Sequence, residues 1–245
     1  VGGSTTVLTA ARGRGKSVGL GRAAKTIGGS VCVTGPNHTA VQEVLAFGGD
    51  GCTYVSVDDM MRMPPVSVLI VDEAAQLSVP VLMALCRRHG RGHLTFSTTT
   101  RGYEGTGRGF VLRFLSWLAT QGDVHRHRLN APIRWDEDDP LEAWVDDLLR
   151  FGATPAVLSN APGAVVGERV SAERLADDPL LLDQVFGLLV HAHYRTTPSD
   201  LEQMLDAPNV DVHVLRQRGQ VVAATWVARE GELPDAHCEE MALGK

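Results

Sequence analysis

Two short strings carry residue types that handle phosphate. Gly13-Arg14-Gly15-Lys16-Ser17 sets two glycines, an amine and a hydroxyl side by side. Glycines let backbone N–H groups face an anion, and a helix opening at Lys16 adds the positive potential of its N-terminus. Lys16 would then reach the β- and γ-phosphates of a nucleotide, and the Ser17 hydroxyl would join a Mg²⁺ shell. The usual motif has a further glycine ahead of this group; here that position is Ala10. Downstream, Val68-Leu69-Ile70-Val71-Asp72-Glu73 is an apolar run ending in two carboxylates. Asp72 would hold the Mg²⁺ shell, and Glu73 would polarise an attacking water. Taken singly, the first string is also an ordinary glycine turn and the second a buried strand with a solvated acidic end. Their order, with strands between them, favours a nucleotide site. ATP is the expected nucleotide, although the two motifs also accept GTP.

Two further clusters could complete such a site. Ser97-Thr98-Thr99-Thr100 places small hydroxyls at a strand end, where helicase-type motors sense the γ-phosphate, and a glycine-rich stretch containing Arg108 follows. Arg108 reads either as a phosphate or RNA contact or as an ordinary surface arginine. In Pro132-Ile133-Arg134-Trp135, an arginine beside an aromatic could close a charge clamp on the γ-phosphate. The alternative is a salt bridge from Arg134 to the acidic run at 136–139.

The elements that would position these residues alternate in the first part of the chain. Short apolar or β-branched runs at 5–10, 30–34, 66–71 and 92–97 read as strands, as does the stretch at 124–129. Amphipathic stretches at 16–26, 37–47, 80–87, 109–118 and 140–150 read as helices, with Asn37 as a cap and Pro140 in a first turn. This is the pattern of a mostly parallel sheet covered by helices, an α/β P-loop NTPase fold. Residues 152–163, rich in Gly, Pro, Ala, Ser and Asn, read as a linker. Beyond it come a strand at 164–170, helices at 180–191 and 198–205, and a hairpin of 210–216 with 220–229 turned at Arg218-Gly219. Two domains are expected, 1–160 and 161–245.

The composition narrows the class. The 245 residues are 44% hydrophobic and 21% charged, with a mean hydropathy of -0.03, which argues against wholesale disorder. No apolar run approaches the roughly 18–20 residues that cross a bilayer, and the first residues lack a signal-peptide pattern, so a cytoplasmic protein is expected. The four cysteines include no CxxC pair, so a zinc site is not expected. A net charge of -6 gives no global basic signal, so any RNA contact must be local. Both ends read as internal to a longer protein.

In chain order, Ala11 to Ser17, Val71-Asp72-Glu73-Ala74-Ala75, Ser97-Thr98-Thr99, Gly102-Tyr103-Glu104-Gly105-Thr106-Gly107-Arg108-Gly109-Phe110 and Pro132-Ile133-Arg134-Trp135 with Asp139-Pro140-Leu141-Glu142 resemble the bacterial tRNA(Met) cytidine acetyltransferase family. Ala192-His193-Tyr194-Arg195-Thr196-Thr197-Pro198-Ser199-Asp200-Leu201 and Leu205-Asp206-Ala207-Pro208-Asn209 extend the resemblance along the chain. It implies a helicase-like ATPase module joined to a GNAT acetyltransferase domain, of which residues 161–245 would be the N-terminal part. It also implies acetyl transfer from acetyl-CoA to the 4-amino group of the wobble cytidine of elongator tRNA(Met), driven by ATP hydrolysis. Carried over by motif, Gly13, Arg14, Gly15, Lys16, Ser17, Val18 and Arg134 would bind ATP, Ser17 and Asp72 would hold Mg²⁺, and Lys16 and Glu73 would be catalytic. His193 reads as a base or as a structural histidine. One departure is plain: the [QR]xxGx[GA] loop by which such a domain grips the CoA pyrophosphate does not follow the strand at 220–229. The other reading is an RNA helicase-type ATPase with a non-catalytic second domain.

Overall fold

The computed structural model describes residues 3–99, 109–157, 163–192, 197–229, 231 and 234–242. The chain divides into two compact units, one running to Gly152 and the other starting at Ala153.

In the first unit, β1 (Thr5–Ala10) leads through the phosphate-type loop into α1 (Lys16–Ile27). Then follow β2 (Val31–Thr34), α2 (Gln42–Gly48), β3 (Cys52–Tyr54), α3 (Val57–Met60), β4 (Val68–Val71), α4 (Val79–His89) and β5 (His93–Thr99). A π-helical turn (Gly109–Phe114) runs into α5 (Leu115–Ala119), followed by β6 (Val124–Leu129) and α6 (Pro140–Leu148). The six strands form one parallel sheet in the order β3-β2-β4-β5-β1-β6.

Strand alternation sorts side chains to the two faces of this sheet. Leu69, Val71, Leu94 and Phe96 join Leu82, Leu85, Phe110 and Phe114 in one core. Ile70, Val31 and Val33 join Leu20, Ala24, Val41 and Val44 of α1 and α2 in the other. Gly21 lets these two helices close up, since a Cβ there would lie 2.6 Å from the Val44 carbonyl oxygen. After β1 the chain turns toward β2, whereas after β5 it crosses to β6 on the far side of β1. The carboxyl ends of the neighbouring strands β1 and β5 are therefore a topological switch point, where open α/β sheets bind ligands.

The second unit contains β7 (Val165–Val170), α7 (Ala172–Asp177), α8 (Pro179–Ala192), α9 (Pro198–Asp206), β8 (Val210–Gln217), β9 (Gln220–Ala228) and α10 (Asp235–Ala242). Its strands form an antiparallel sheet in the order β7-β8-β9. Val212, Val214 and Val221 of this sheet are buried, as are Leu181, Leu182, Val185 and Phe186 of α8. Gln184 of α8 accepts a hydrogen bond from the Val221 amide at 2.9 Å.

The elements differ from the sequence reading where local periodicity is weak. Residues 109–118 begin as a π turn, with the Phe114 ring 5.0 Å from Phe96 and 5.2 Å from Phe110. That ring cluster is a tertiary contact, invisible to a 3.6-residue count. Short β3, α3 and α7 were not expected, because three to six residues carry too little pattern. The helix expected over 37–47 opens as a 3₁₀ turn at Thr39–Val41, with the Asn37 carboxamide oxygen accepting from the Ala40 amide at 2.9 Å.

Candidate functional site

The turn between β1 and α1 takes its shape from two left-handed glycines, Gly13 at φ 74° and Gly15 at φ 71°. Ala10 is the last paired residue of β1, opposite Thr99 and Leu129, so the position has no need of glycine. Gly15 caps α1 without a side-chain hydrogen bond, and no acidic residue lies in the first turn. Among the described residues no carboxylate or hydroxyl caps the leading amides of Lys16, Ser17 and Val18, as suits an anion-binding helix start.

Lys16 points across to the ends of the neighbouring strands. Its Nζ donates to Asp72 Oδ1 at 2.7 Å and to Glu73 Oε1 at 2.8 Å. The Ser17 hydroxyl donates to Asp72 Oδ2 at 2.7 Å, and the Ser97 hydroxyl donates to Asp72 Oδ1. Thr99 Oγ1 donates to Glu73 Oε1 at 3.3 Å. Strand order explains the convergence: β5 lies between β1 and β4, so three strand ends present Lys16, Asp72-Glu73 and Ser97–Thr99 to one point. Glu73 itself sits in the left-handed region at φ 49°, an unfavourable conformation for a non-glycine residue and one that recurs at functional sites. Asp72 is fully buried and the Lys16 side chain is 8% exposed. Burial pushes the Lys16 ammonium down, but the Asp72 and Glu73 carboxylates and their hydrogen bonds outweigh it and hold the pKa above 10.5. Lys16 is therefore charged at every physiological pH.

The donor set fits a nucleotide with Mg²⁺. Asp72 and Ser17 offer one carboxylate and one hydroxyl, which suits an ion that keeps phosphate and water in most of its shell. Among the described residues no three His, Cys, Asp or Glu side chains converge as a protein-only metal cage would need.

The remaining residues singled out by sequence lie elsewhere or behave differently. The Arg14 guanidinium turns to the other side of the loop, donating to the Asn130 carbonyl at 3.1 Å, the Arg12 carbonyl at 2.8 Å and Glu142 at 2.5 Å. Arg134 is exposed and pairs with Glu43 of α2 at 3.3 Å, a different partner from the acidic run at 136–139. Exposed pairs of this kind contribute roughly 0–1 kcal/mol, so Arg134 is readily released. Arg108 and His193 lie outside the described residues. Sequence reasoning missed the direct contact of the Ser97 hydroxyl with Asp72, for which the hydroxyl run at a strand end was the available signal.

Residues 7–53 and 47–152 match the family model described as RNA cytidine acetyltransferase NAT10/TcmA, helicase domain. The chain belongs to that family. It is 41% identical over 265 residues to the tRNA(Met) cytidine acetyltransferase TmcA of Nitrosococcus halophilus, covering 97% of this chain and 35% of that protein. The corresponding protein of Haloarcula marismortui is 40% identical over 266 residues, covering 94% and 34%. The chain thus spans about a third of the length of these curated relatives. Among solved structures, Bacteroides Pif1 bound to ssDNA is similar at 14% identity and a TM-score of 0.43, covering 64% of this chain and 48% of that one. That likeness is too slight to bear on the site. Among the described residues no helix is long and apolar enough to cross a membrane.

Proposed function

We propose that the first unit is an ATP-binding and ATP-hydrolysing motor that serves acetyl transfer to a cytidine of tRNA. The observation that carries this reading is the buried Lys16 held between Asp72 and Glu73 at the switch point, with Ser17 on the same Asp72. The amides of Gly13 to Val18 would cradle the phosphates. Lys16 would leave its carboxylates to follow the β- and γ-phosphates, offsetting the charge that builds on them. Ser17 and Asp72 would hold Mg²⁺, which when bound neutralises phosphate charge. Glu73 would orient a water and take its proton as the water oxygen bonds to the γ-phosphorus and the bridging bond to ADP breaks. Thr99, already on Glu73, and Arg134, close by Glu43 of α2, would report and clamp the γ-phosphate.

Residues 161–245 would begin a GNAT domain. The names of the relatives support tRNA(Met) as substrate and cytidine acetylation as the reaction. In the proposed reaction acetyl would pass from acetyl-CoA to the 4-amino group of the wobble cytidine. Drawing a stacked base into a pocket costs a few kcal/mol, which ATP hydrolysis could supply. Because no CoA pyrophosphate loop follows β9 in this chain, the 245 residues alone are expected to acetylate nothing.

The test uses a protein extended to the length of the relatives, incubated with unmodified elongator tRNA(Met), labelled acetyl-CoA and ATP. Acetylcytidine that forms only with ATP, and is lost in Lys16→Ala while acetyl-CoA still binds, is the expected result. RNA-stimulated ATP hydrolysis without acetylcytidine would instead establish a helicase-type ATPase with a non-catalytic second domain.

A further inference from the structure

The segment after β6 is fastened onto the outside of the phosphate-type loop. The Ile133 amide donates to the Gly13 carbonyl at 2.9 Å. A Cβ on Gly13 would fall 2.3 Å from Trp135 Cη2, and one on Gly15 would fall 2.6 Å from Ile133 Cδ1. Gly13 is therefore needed on this side as well, against the Trp135 ring, whereas a Cβ on Gly15 would meet only the movable tip of Ile133.

One carboxylate ties the assembly together. Glu142 Oε1 accepts from Arg14 Nη1 at 2.5 Å, and Glu142 Oε2 accepts from Trp135 Nε1 at 2.7 Å. The Arg14 guanidinium also stacks 5.6 Å from the Trp135 ring centroid. Glu142 is itself placed by a helix start: Asp139 caps α6, its Oδ1 accepting from the Leu141 amide at 2.8 Å and the Glu142 amide at 3.4 Å. The Glu142 side chain is 23% exposed and that of Arg14 10%, so the pair is shielded from most solvent screening.

Arg134 stands between Ile133 and Trp135, the two anchors of this segment. We propose that Glu142 is a positioning residue: by bridging Arg14 and Trp135 it fixes the phosphate loop and the Arg134 backbone relative to one another, so that Arg134 reaches bound nucleotide phosphate. This rests on the nucleotide reading of the loop. Glu142 touches no reacting atom in it and acts through Arg14, Trp135 and Arg134.

The experiment titrates a fluorescent, non-hydrolysable ATP analogue with Mg²⁺ onto the full chain, comparing wild type, Lys16→Ala, Glu142→Ala, Glu142→Gln, Arg134→Ala and the Glu142→Ala/Arg134→Ala double variant. Thermal unfolding of each is followed in parallel. Glu142→Ala is expected to bind about tenfold more weakly, the loss typical of a charge-assisted hydrogen-bonded pair. The double variant should lose little beyond Arg134→Ala alone, because Glu142 acts through it. Glu142→Gln, nearly isosteric, carries the same comparison if Glu142→Ala fails to fold. Wild-type affinity in the folded Glu142 variants, or losses that multiply with Arg134→Ala, would overturn the positioning role alone. A wild-type chain that does not bind the ATP analogue, or binds it equally with Lys16→Ala, would overturn the phosphate site and this role together.

Discussion

Replacing Lys16 with methionine removes one charge and little volume, and the structure sets what that should cost. Asp72 is fully buried, and Lys16 Nζ is 2.7 Å from it and 2.8 Å from Glu73. Taking one partner from a buried ion pair costs about 3–5 kcal/mol, because the other charge stays buried without compensation. Asp72 keeps donors from Ser17, Ser97 and the Glu73 amide, the last at 3.0 Å, which offsets part of the loss. We expect Lys16→Met to destabilise the first unit by about 2–4 kcal/mol at pH 7. That corresponds to about 4–16 °C in unfolding midpoint for a unit of this size. Adding Asp72→Asn should recover a large part, since the orphaned charge is then gone. The sign with pH is equally specific. A lysine whose folded pKa is raised contributes fully below its unfolded value near 10.5 and loses that contribution only as pH rises through the folded one. The wild-type advantage should therefore hold across pH 6–9 and shrink only in stronger alkali. Differential scanning calorimetry of the three proteins measures this. Equal midpoints for wild type and Lys16→Met at pH 7, or no recovery in the double variant, would refute the reasoning.

Gly13→Ala sets a Cβ 2.3 Å from Trp135 on a left-handed backbone, and should destabilise by about 2–4 kcal/mol in urea unfolding while weakening ADP binding. His89 is fully buried, with the Val66 amide donating to Nδ1 at 3.3 Å and Nε2 facing the Met60 carbonyl at 3.0 Å. Burial lowers its pKa below 6.5, the Met60 carbonyl opposing and Arg88 assisting, so its contribution is present above pH 6.5 and is lost as pH falls below that. His89→Gln should be less stable at pH 8 yet lose less stability between pH 7 and 5, as read by chemical denaturation. Burial pushes the Cys86 thiol up to about 12, whereas Cys238 is exposed. Timed alkylation at pH 8 with mass spectrometry should label Cys238 first and Cys86 last.

The parallel sheet was legible because β1, β2, β4 and β5 are each an apolar or β-branched run followed by a glycine, proline or helical signal. The phosphate-type loop and the Asp72-Glu73 pair were legible because their chemistry is local to each string. Their meeting was expected from the two motifs sharing one Mg²⁺ shell, but the strand order that brings it about, with β5 between β1 and β4, has no sequence signature. The Ser97 contact with Asp72 follows from that same insertion. Arg14 illustrates the converse: its place inside the loop suggested phosphate, but the neighbours that claim its guanidinium, Asn130 and Glu142, lie more than a hundred residues on. Short β3 and α3 went unread because one turn or three residues leave no period to detect.

The central claim is that the Gly13–Ser17 loop and the Asp72-Glu73 strand end form one ATP–Mg²⁺ site. Isothermal calorimetry of ATP with Mg²⁺ against the 245-residue chain tests it directly. One ATP per chain is expected, with binding abolished in Lys16→Ala and much weakened when EDTA removes the metal. No binding by the wild type, or binding that Lys16→Ala leaves unchanged, would contradict it.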